Sequence, residues 1–254
     1  MLDTLIQPPL ARPAFAPIPG LQPLQRADRT ALRKMPQAAG DLQVRRIGEM
    51  LALVAEVLQP QKRIVRAGDV LYRAGERFDC LHVLNSGMVK VVKLTADGRE
   101  QVVGIKFRGD WLGLDGIARG TYGCDGLAMD TGEVWSFRYD ALLGLCGSHP
   151  ALLTALHGGM SLEIARERES LMSVCTLPAD ARVADFLRFI AESLATRGMR
   201  TDQITLRMTR AEIGNYLGLT LESVSRALSR LARDKVIAFV EKGRRDVQIT
   251  DLEA

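Results

Sequence analysis

The sequence of 254 residues has few of the features that mark membrane or secreted proteins. No apolar run approaches the roughly 20 residues that a membrane-spanning helix needs. The first residues do not combine a basic stretch with an apolar core, so they do not resemble a secretory signal. The four cysteines form no Cys-x-x-Cys pair, which in a chain without an export signal favours reduced thiols over disulfides. These absences predict a cytoplasmic protein that does not associate with a membrane.

The common catalytic motifs are also missing from the sequence. It contains no Walker loop, no His-Glu-x-x-His pair, and no Gly-x-Ser-x-Gly with candidate triad partners. The formal net charge of +4 permits a polyanionic partner without requiring one. We therefore predict that the protein is not an enzyme and has no catalytic or metal-ligating residues.

Composition divides the chain into four segments. Residues 1–41 hold most of the ten prolines and predict a flexible arm. Residues 42–148 open with helical periodicity and continue as short β-branched runs separated by glycines, with Asp97-Gly98 at a predicted hairpin turn. Residues 149–176 predict one long helix, and residues 177–254 predict a helical domain with short strands. We therefore expect an α+β protein whose N-terminal domain is a small sandwich or barrel.

Apolar side chains recur every three or four residues along the predicted long helix. This spacing forms one seam, which a second copy of the chain can cover, and it predicts a homodimer helix. Gly158 and Gly159 weaken the prediction, since a glycine costs about 1 kcal/mol in a helix. Glu167 either meets its own mate across the two-fold axis or lies slightly off the seam in water. The predicted interface residues are Leu153, Leu156, Met160, Ile164, Glu167, Leu171 and Val174.

The stretch TRAEIGNYLGLTLESVSRALSRL, residues 209–231, carries the strongest indication of function. Thr209 and Glu212 predict a capping box at the start of one helix, Gly218 ends that helix, and Thr220 caps a second. Two short helices around a glycine turn are typical of a helix-turn-helix. The second helix turns carboxylate, hydroxyl and guanidinium groups outward, and such groups can contact base edges in the major groove of DNA.

A basic hairpin is predicted after this motif. Residues 242–245, KGRR, lie between two short apolar runs and favour a wing that contacts phosphates. Capping box, glycine turn, second cap, polar face and basic hairpin occur in one order, which favours DNA binding over an ordinary solvated helix. The predicted DNA-binding residues are Thr209, Arg210, Thr220, Glu222, Ser225, Arg226, Ser229, Arg230, Lys242, Arg244 and Arg245.

Taken together, residues 60–250 resemble the Crp/Fnr superfamily of bacterial transcription regulators. MTRAEIGNYLGLTLESVSRALSRL is nearly the Fnr signature, and VRAGDVLYRAGE, LNSGMVKV and FRGDWLGLDGIARG resemble the glycine-spaced β-roll. The resemblance implies a cyclic-nucleotide-binding-type β-roll, a long dimerisation helix and a C-terminal winged helix-turn-helix. It also implies that Glu222, Ser225 and Arg226 read TTGAT half-sites of an inverted repeat in promoter DNA, and that exposed loops contact RNA polymerase.

The same resemblance suggests three classes of effector. Cyclic-AMP binders of this fold carry a glutamate and an Arg-Ser-Ala where this chain has Leu114 and GCDGLA, so we expect no cAMP binding. Fnr holds an iron–sulfur cluster with cysteines of its N-terminal arm, but residues 1–79 contain none, and Trp135 stands at the internal ligand position. We therefore expect no iron–sulfur cluster.

Haem or direct redox sensing forms the third class. Cys80 and His82 form a Cys-x-His pair on one face of a predicted strand, which could ligate haem, although packed side chains explain the pair more simply. Cys175, near the end of the long helix, is the candidate redox residue, and a buried inert thiol is its simpler explanation. We predict no cofactor, and the alternatives are a haem-dependent nitric oxide or carbon monoxide sensor and a cyclic-nucleotide-responsive regulator.

Overall fold

The computed structural model describes residues 37–95, 97–240 and 245–249. The predictions for Lys242, for Arg244 and for most of the proline-rich arm lie outside these residues. The described chain is an α+β structure of two antiparallel sheets, a long helix and a smaller C-terminal unit of helices and a third sheet. None of the described helices is long and apolar enough to cross a membrane.

The elements follow the predicted order of segments, with one additional helix, Tyr139–Cys146, that the sequence pattern does not predict. The α-helices are α1 (Gln37–Leu53, continued by a π-helical turn at Val54–Leu58), α2 (Tyr139–Cys146), α3 (Pro150–Thr176), α4 (Ala179–Ala195), α5 (Arg210–Leu217) and α6 (Leu221–Arg233). The strands are β1 (Gln61–Val65), β2 (Val70–Tyr72), β3 (Cys80–Ser86), β4 (Val89–Leu94), β5 (Glu100–Lys106), β6 (Trp111–Leu112), β7 (Asp125–Ala128), β8 (Gly132–Arg138), β9 (Gln203–Thr205), β10 (Ile237–Phe239) and β11 (Asp246–Ile249).

The two N-terminal sheets form the predicted β-roll. Their strand orders are β1-β8-β3-β6 and β2-β7-β4-β5. Val65 and Leu84 from the first sheet share one buried cluster with Tyr72 and Val89 from the second, so the sheets pack face to face. The hairpin prediction at Asp97-Gly98 is confirmed, because Gly98 has a φ of 80° between the paired strands β4 and β5.

Helix α3 packs one side against the β-roll of its own chain. Leu152 and Leu156 are 0% and 3% exposed and belong to a core that also contains Trp111. Gly159 allows this close approach, because a Cβ atom there would lie 2.5 Å from Cδ1 of Trp111. The glycine that weakens the helix in isolation is therefore required by its packing.

The seam predicted for the dimer mixes two faces of α3. Leu156 is wrong as an interface residue, because the β-roll of its own chain covers it. The predicted residues that remain exposed are Leu153, Ile164 and Leu171, at 38%, 46% and 63%. The half-buried residues of the prediction are Met160 and Val174, and Glu167 is exposed. The apolar stripe of α3 that is available to a second copy is therefore narrower than predicted.

The C-terminal unit is the predicted winged helix-turn-helix. Its three-stranded sheet has the order β10-β11-β9, and β10 pairs with β11 in the predicted antiparallel arrangement. Helices α4, α5 and α6 bury Phe186, Ile213 and Leu228 in one cluster. The same cluster includes Val102 of β5, so the helical unit and the β-roll share a continuous apolar core.

Candidate nucleic-acid interface

The capping box at the start of α5 is confirmed. The Thr209 hydroxyl accepts from the Glu212 backbone N–H at 3.2 Å, and the Glu212 carboxylate accepts from the Thr209 backbone N–H at 2.7 Å. Burial acts to raise the pKa of Glu212, but its hydrogen bonds to Lys90 and Thr209 outweigh burial and lower that pKa below its ordinary value. The ionised carboxylate therefore holds the first turn of α5 at neutral pH.

The turn between α5 and α6 depends on two glycines. Gly218 ends α5 in the left-handed region, with a φ of 65°, as the sequence predicts. Gly214 is a residue that sequence reasoning missed: the Leu219 N–H donates to its carbonyl at 2.8 Å, and a Cβ atom on Gly214 would lie 2.6 Å from the Leu219 carbonyl oxygen. The signal available in the sequence was a second glycine, Gly214, inside the short helix that Gly218 ends.

We expect Gly214→Ala to destabilise the helix-turn-helix by about 1–3 kcal/mol, because the new methyl group meets backbone rather than a movable side chain. Chemical unfolding followed by far-ultraviolet circular dichroism measures the change. Gly144→Ala in α2 is the matched control, since a Cβ atom there meets nothing within 4 Å. Equal stability of the two variants would contradict the requirement for a glycine at position 214.

Helix α6 separates a buried face from a polar one. The Thr220 hydroxyl accepts from the Ser223 backbone N–H at 3.2 Å, which confirms the second predicted cap. Val224 and Leu228 are 0% and 2% exposed on the inner face. The predicted reading residues lie on the other face: Glu222, Arg226 and Ser229 are exposed and Ser225 is half-buried.

These reading residues begin within the first turn of α6. Hydrogen bonds from its own backbone N–H and from Thr220 lower the pKa of Glu222, so its carboxylate is ionised at the helix N-terminus. The exposed Arg226 guanidinium makes a long contact with the Ser223 hydroxyl, at 3.4 Å, and its charge also lowers the pKa of Glu222. An ionised acceptor, a hydroxyl and a guanidinium are therefore presented to solvent one turn apart, which suits the edges of DNA bases.

The other predicted basic residues differ in their surroundings. Arg230 is exposed but forms an ion pair with Asp180 of α4, so part of its charge is already neutralised. The Arg210 guanidinium lies over the Phe239 ring, 5.8 Å from the centroid. Arg245 is exposed immediately before β11. Their roles in phosphate contact stay predictions.

A cavity of about 220 Å³ lies between the β-roll and α3. Its cation, Lys106, is 4% exposed and forms an ion pair with Glu163 of α3. Asp115 and Glu167 also line the cavity, so its charge is mainly negative. Burial, with Asp115 as the second cause, raises the pKa of the Cys124 thiol to about 11. This lining disfavours an anionic ligand.

The candidate haem pair lies in different surroundings. His82 is 8% exposed, its Nδ1 lies 2.7 Å from the Ser136 hydroxyl, and its ring stacks on Tyr72 at 5.3 Å. Burial lowers the pKa of His82 to about 4, so the imidazole is neutral. Burial also raises the pKa of Cys80. Across the described ranges, no group of three or more His, Cys, Asp and Glu side chains could hold a metal ion.

Cys175 is exposed near the end of α3, so the explanation as a buried thiol is wrong. An exposed position makes the thiol accessible to oxidants, which is one requirement for a redox role. The described structure shows no disulfide partner for it. A redox function of Cys175 stays a prediction.

Known proteins resemble both halves of the chain. Residues 62–149 match the family described as a cyclic nucleotide-binding domain, and residues 181–254 match the family described as a Crp-like helix-turn-helix domain. The fumarate and nitrate reduction regulatory protein of Yersinia pestis is 32% identical over 182 residues, which cover 72% of this chain and 73% of that protein.

Solved structures share the architecture as well. FixK2 from Bradyrhizobium japonicum is 25% identical with a TM-score of 0.68, over 76% of this chain and 94% of that one. The c-di-GMP responsive global regulator CLP of Xanthomonas campestris shares the fold at 18% identity, with a TM-score of 0.63 over 80% of this chain and 99% of that one.

Proposed function

This chain belongs to the Crp/Fnr family of DNA-binding transcription regulators, and from that premise we propose that it binds a TTGAT-like inverted repeat in promoters as a homodimer. The family consists of regulators rather than enzymes.

The exposed polar start of α6 is the observation that carries the proposal. Glu222 and Arg226 are exposed on a helix whose opposite face is fully buried, so the helix is fixed while its reading side is free. A carboxylate accepts from cytosine N4, and a guanidinium donates to guanine O6 and N7. The two groups match the single G·C pair of a TTGAT half-site.

The exposed apolar stripe on α3 supports the homodimer. Leu153, Ile164 and Leu171 lie along one side of a helix of 27 residues, and the β-roll covers a different side. A second copy of α3 would remove these side chains from water. The resulting two-fold axis matches an inverted repeat, with half-sites roughly 34 Å apart.

We propose that the protein works without cyclic AMP, haem or an iron–sulfur cluster. The cavity beside α3 offers a phosphate no unpaired cation, because Lys106 is already paired with Glu163. His82 is committed to Ser136 and Tyr72 in the β-roll core, which supports the packed explanation of the Cys-x-His pair. Contact with RNA polymerase is part of the proposal, without assigned residues.

A gel-shift series tests the proposal with three duplexes of equal length: a TTGAT inverted repeat, the same bases scrambled, and a single half-site. We expect the repeat to bind at least about a thousandfold more tightly than the scrambled duplex, with the stoichiometry of a dimer. Affinity should also fall steeply between 50 and 200 mM salt, since phosphate contacts release counterions. Equal affinity for repeat and scrambled duplexes would refute the proposed specificity.

A further inference from the structure

The open edge of strand β5 is covered by a side chain of the DNA-binding unit. Among the described strands, β5 is the last of its sheet and pairs with β4 alone, so its other edge exposes backbone groups that need partners. Oδ1 of Asn215 accepts from the Val102 N–H at 2.6 Å, and Nδ2 of Asn215 donates to the Glu100 carbonyl at 2.6 Å. One side-chain amide therefore takes the place of a neighbouring strand.

Two further polar contacts fasten α5 to the same sheet. The side-chain amide of Gln101, on β5, donates to the backbone carbonyl of Asn215. Lys90, on β4, forms an ion pair with Glu212, and both side chains are mostly shielded from water. Because Glu212 also closes the capping box, one carboxylate connects the start of α5 to the β-roll.

Apolar contacts between the β5 region and the DNA-binding unit stabilise this polar contact. Val102 and Ile105 of β5 are 5% and 3% exposed and lie in the cluster that contains the buried side chains of α4, α5 and α6. Phe107, just after β5, meets the ring of Phe189 edge-on, with 5.8 Å between the centroids. A close-packed contact of this kind resists small rotations of one unit against the other.

The contact leaves the reading side of α6 uncovered. Glu222 and Arg226 remain exposed while Asn215, on the preceding helix, is held to β5. The contact between α5 and strand β5 therefore leaves the DNA-reading face of α6 free. It also fixes the direction in which each subunit presents α6. Direction matters because one added base pair moves a half-site by about 3.4 Å and turns it by about 35°.

We propose that Asn215, together with Gln101 and Lys90, is a positioning contact that fixes the half-site spacing this protein accepts. The inference rests on the proposed homodimer and its inverted repeat. A subunit whose DNA-binding unit is loosened from β5 still reads one half-site, but the pair no longer holds two reading helices at one distance and rotation. Simultaneous engagement of both half-sites is then less favourable.

The test uses the full chain and an operator that the wild-type protein selects from random duplexes. Affinities are measured for that operator, for versions one base pair longer and shorter, and for a single half-site. For Asn215→Ala we expect the selected operator to bind about tenfold more weakly and the preference over altered spacings to shrink by a similar factor. Half-site affinity should stay within about twofold, because alanine preserves helix α5.

Gln101→Ala should reproduce the loss of spacing preference in weaker form, although the substitution lies in the β-roll and leaves the DNA-binding unit unaltered. Gln61→Ala is the matched control, since it removes an exposed amide from β1, in the other sheet. It should behave as wild type in every binding assay.

Three results for Asn215→Ala would overturn the inference: an unchanged spacing preference, equal losses on half-site and full operator, or tighter binding of the operator. The first removes the positioning role, the second indicates damage to the helix-turn-helix itself, and the third indicates that the contact restrains binding. If the wild-type protein selects no operator, the proposed function fails and the inference fails with it. If wild type selects an operator and the variants match it, only the inference fails.

Discussion

Arg226→Ala should weaken binding to the inverted repeat by about 1–3 kcal/mol for each half-site and should relax selectivity at its G·C pair. The expected loss is large because the guanidinium is exposed, its hydrogen bond to Ser223 is long at 3.4 Å, and it can donate two hydrogen bonds to one guanine. Competition assays with operators substituted at each position measure where selectivity is lost. The variant should lose discrimination at the G·C pair and keep it at the A·T pairs.

Arg233→Ala distinguishes the loss of a base contact from the loss of one positive charge near DNA. Arg233 is also exposed on α6 but stands at its last residue, away from the polar start of the helix. Removing it should weaken binding uniformly, if at all, and should leave selectivity at the G·C pair intact. Equal losses for Arg226→Ala on specific and scrambled DNA would contradict a base-reading role for Arg226.

Asp110→Ala should destabilise the folded chain by about 3–5 kcal/mol, since it leaves the buried guanidinium of Arg197 without its carboxylate partner. Asp110 accepts from Arg197 at 2.7 Å and from Arg166 at 2.8 Å, and it also accepts from the Phe107 N–H at 2.9 Å. The Arg197 side chain is only 3% exposed, so water cannot replace the lost carboxylate. Urea unfolding followed by circular dichroism measures the loss.

An exposed ion pair supplies the control for Asp110. Asp202 pairs with Arg200 at 2.6 Å, but both side chains are more than half exposed, at 55% and 72%. Asp202→Ala should therefore shift the unfolding midpoint little, because solvent screens and replaces the interaction. A comparable shift for Asp110→Ala would show that Arg197 is not dependent on its carboxylate.

The helix-turn-helix was predictable because its determinants are local. Thr209 and Glu212 satisfy each other within one turn, and Thr220 caps the next helix from the adjacent residue. Gly218 supplies the left-handed conformation that the turn needs. Residues that act over three or four positions leave a pattern in the sequence itself.

The faces of α3 were less accessible to sequence reasoning. Leu153 and Leu156 are three positions apart in the same apolar pattern, yet one is exposed and the other is buried against the β-roll. Glu163 turns inward to Lys106 although it is charged, while its apolar neighbour Ile164 is exposed. A helix that packs on two different surfaces carries two overlapping stripes, and periodicity alone does not assign either stripe to a partner.

Contacts between residues far apart in the chain leave no periodic pattern in the sequence that would predict them. Asp110 and Arg197 are 87 residues apart, and Asn215 lies 113 residues from Val102. Each of these polar residues reads as an ordinary surface position in the sequence. Only the packing of the DNA-binding unit on β5 shows that they connect the two halves of the chain.

Methylation interference tests the central claim, that the polar start of α6 enters the major groove, most directly. Guanine N7 is methylated in the G·C pair of each half-site before the protein is added. We expect this modification to abolish the advantage of the repeat for the wild-type protein and to leave binding by Arg226→Ala unchanged. Wild-type binding that is indifferent to N7 methylation would contradict the claim.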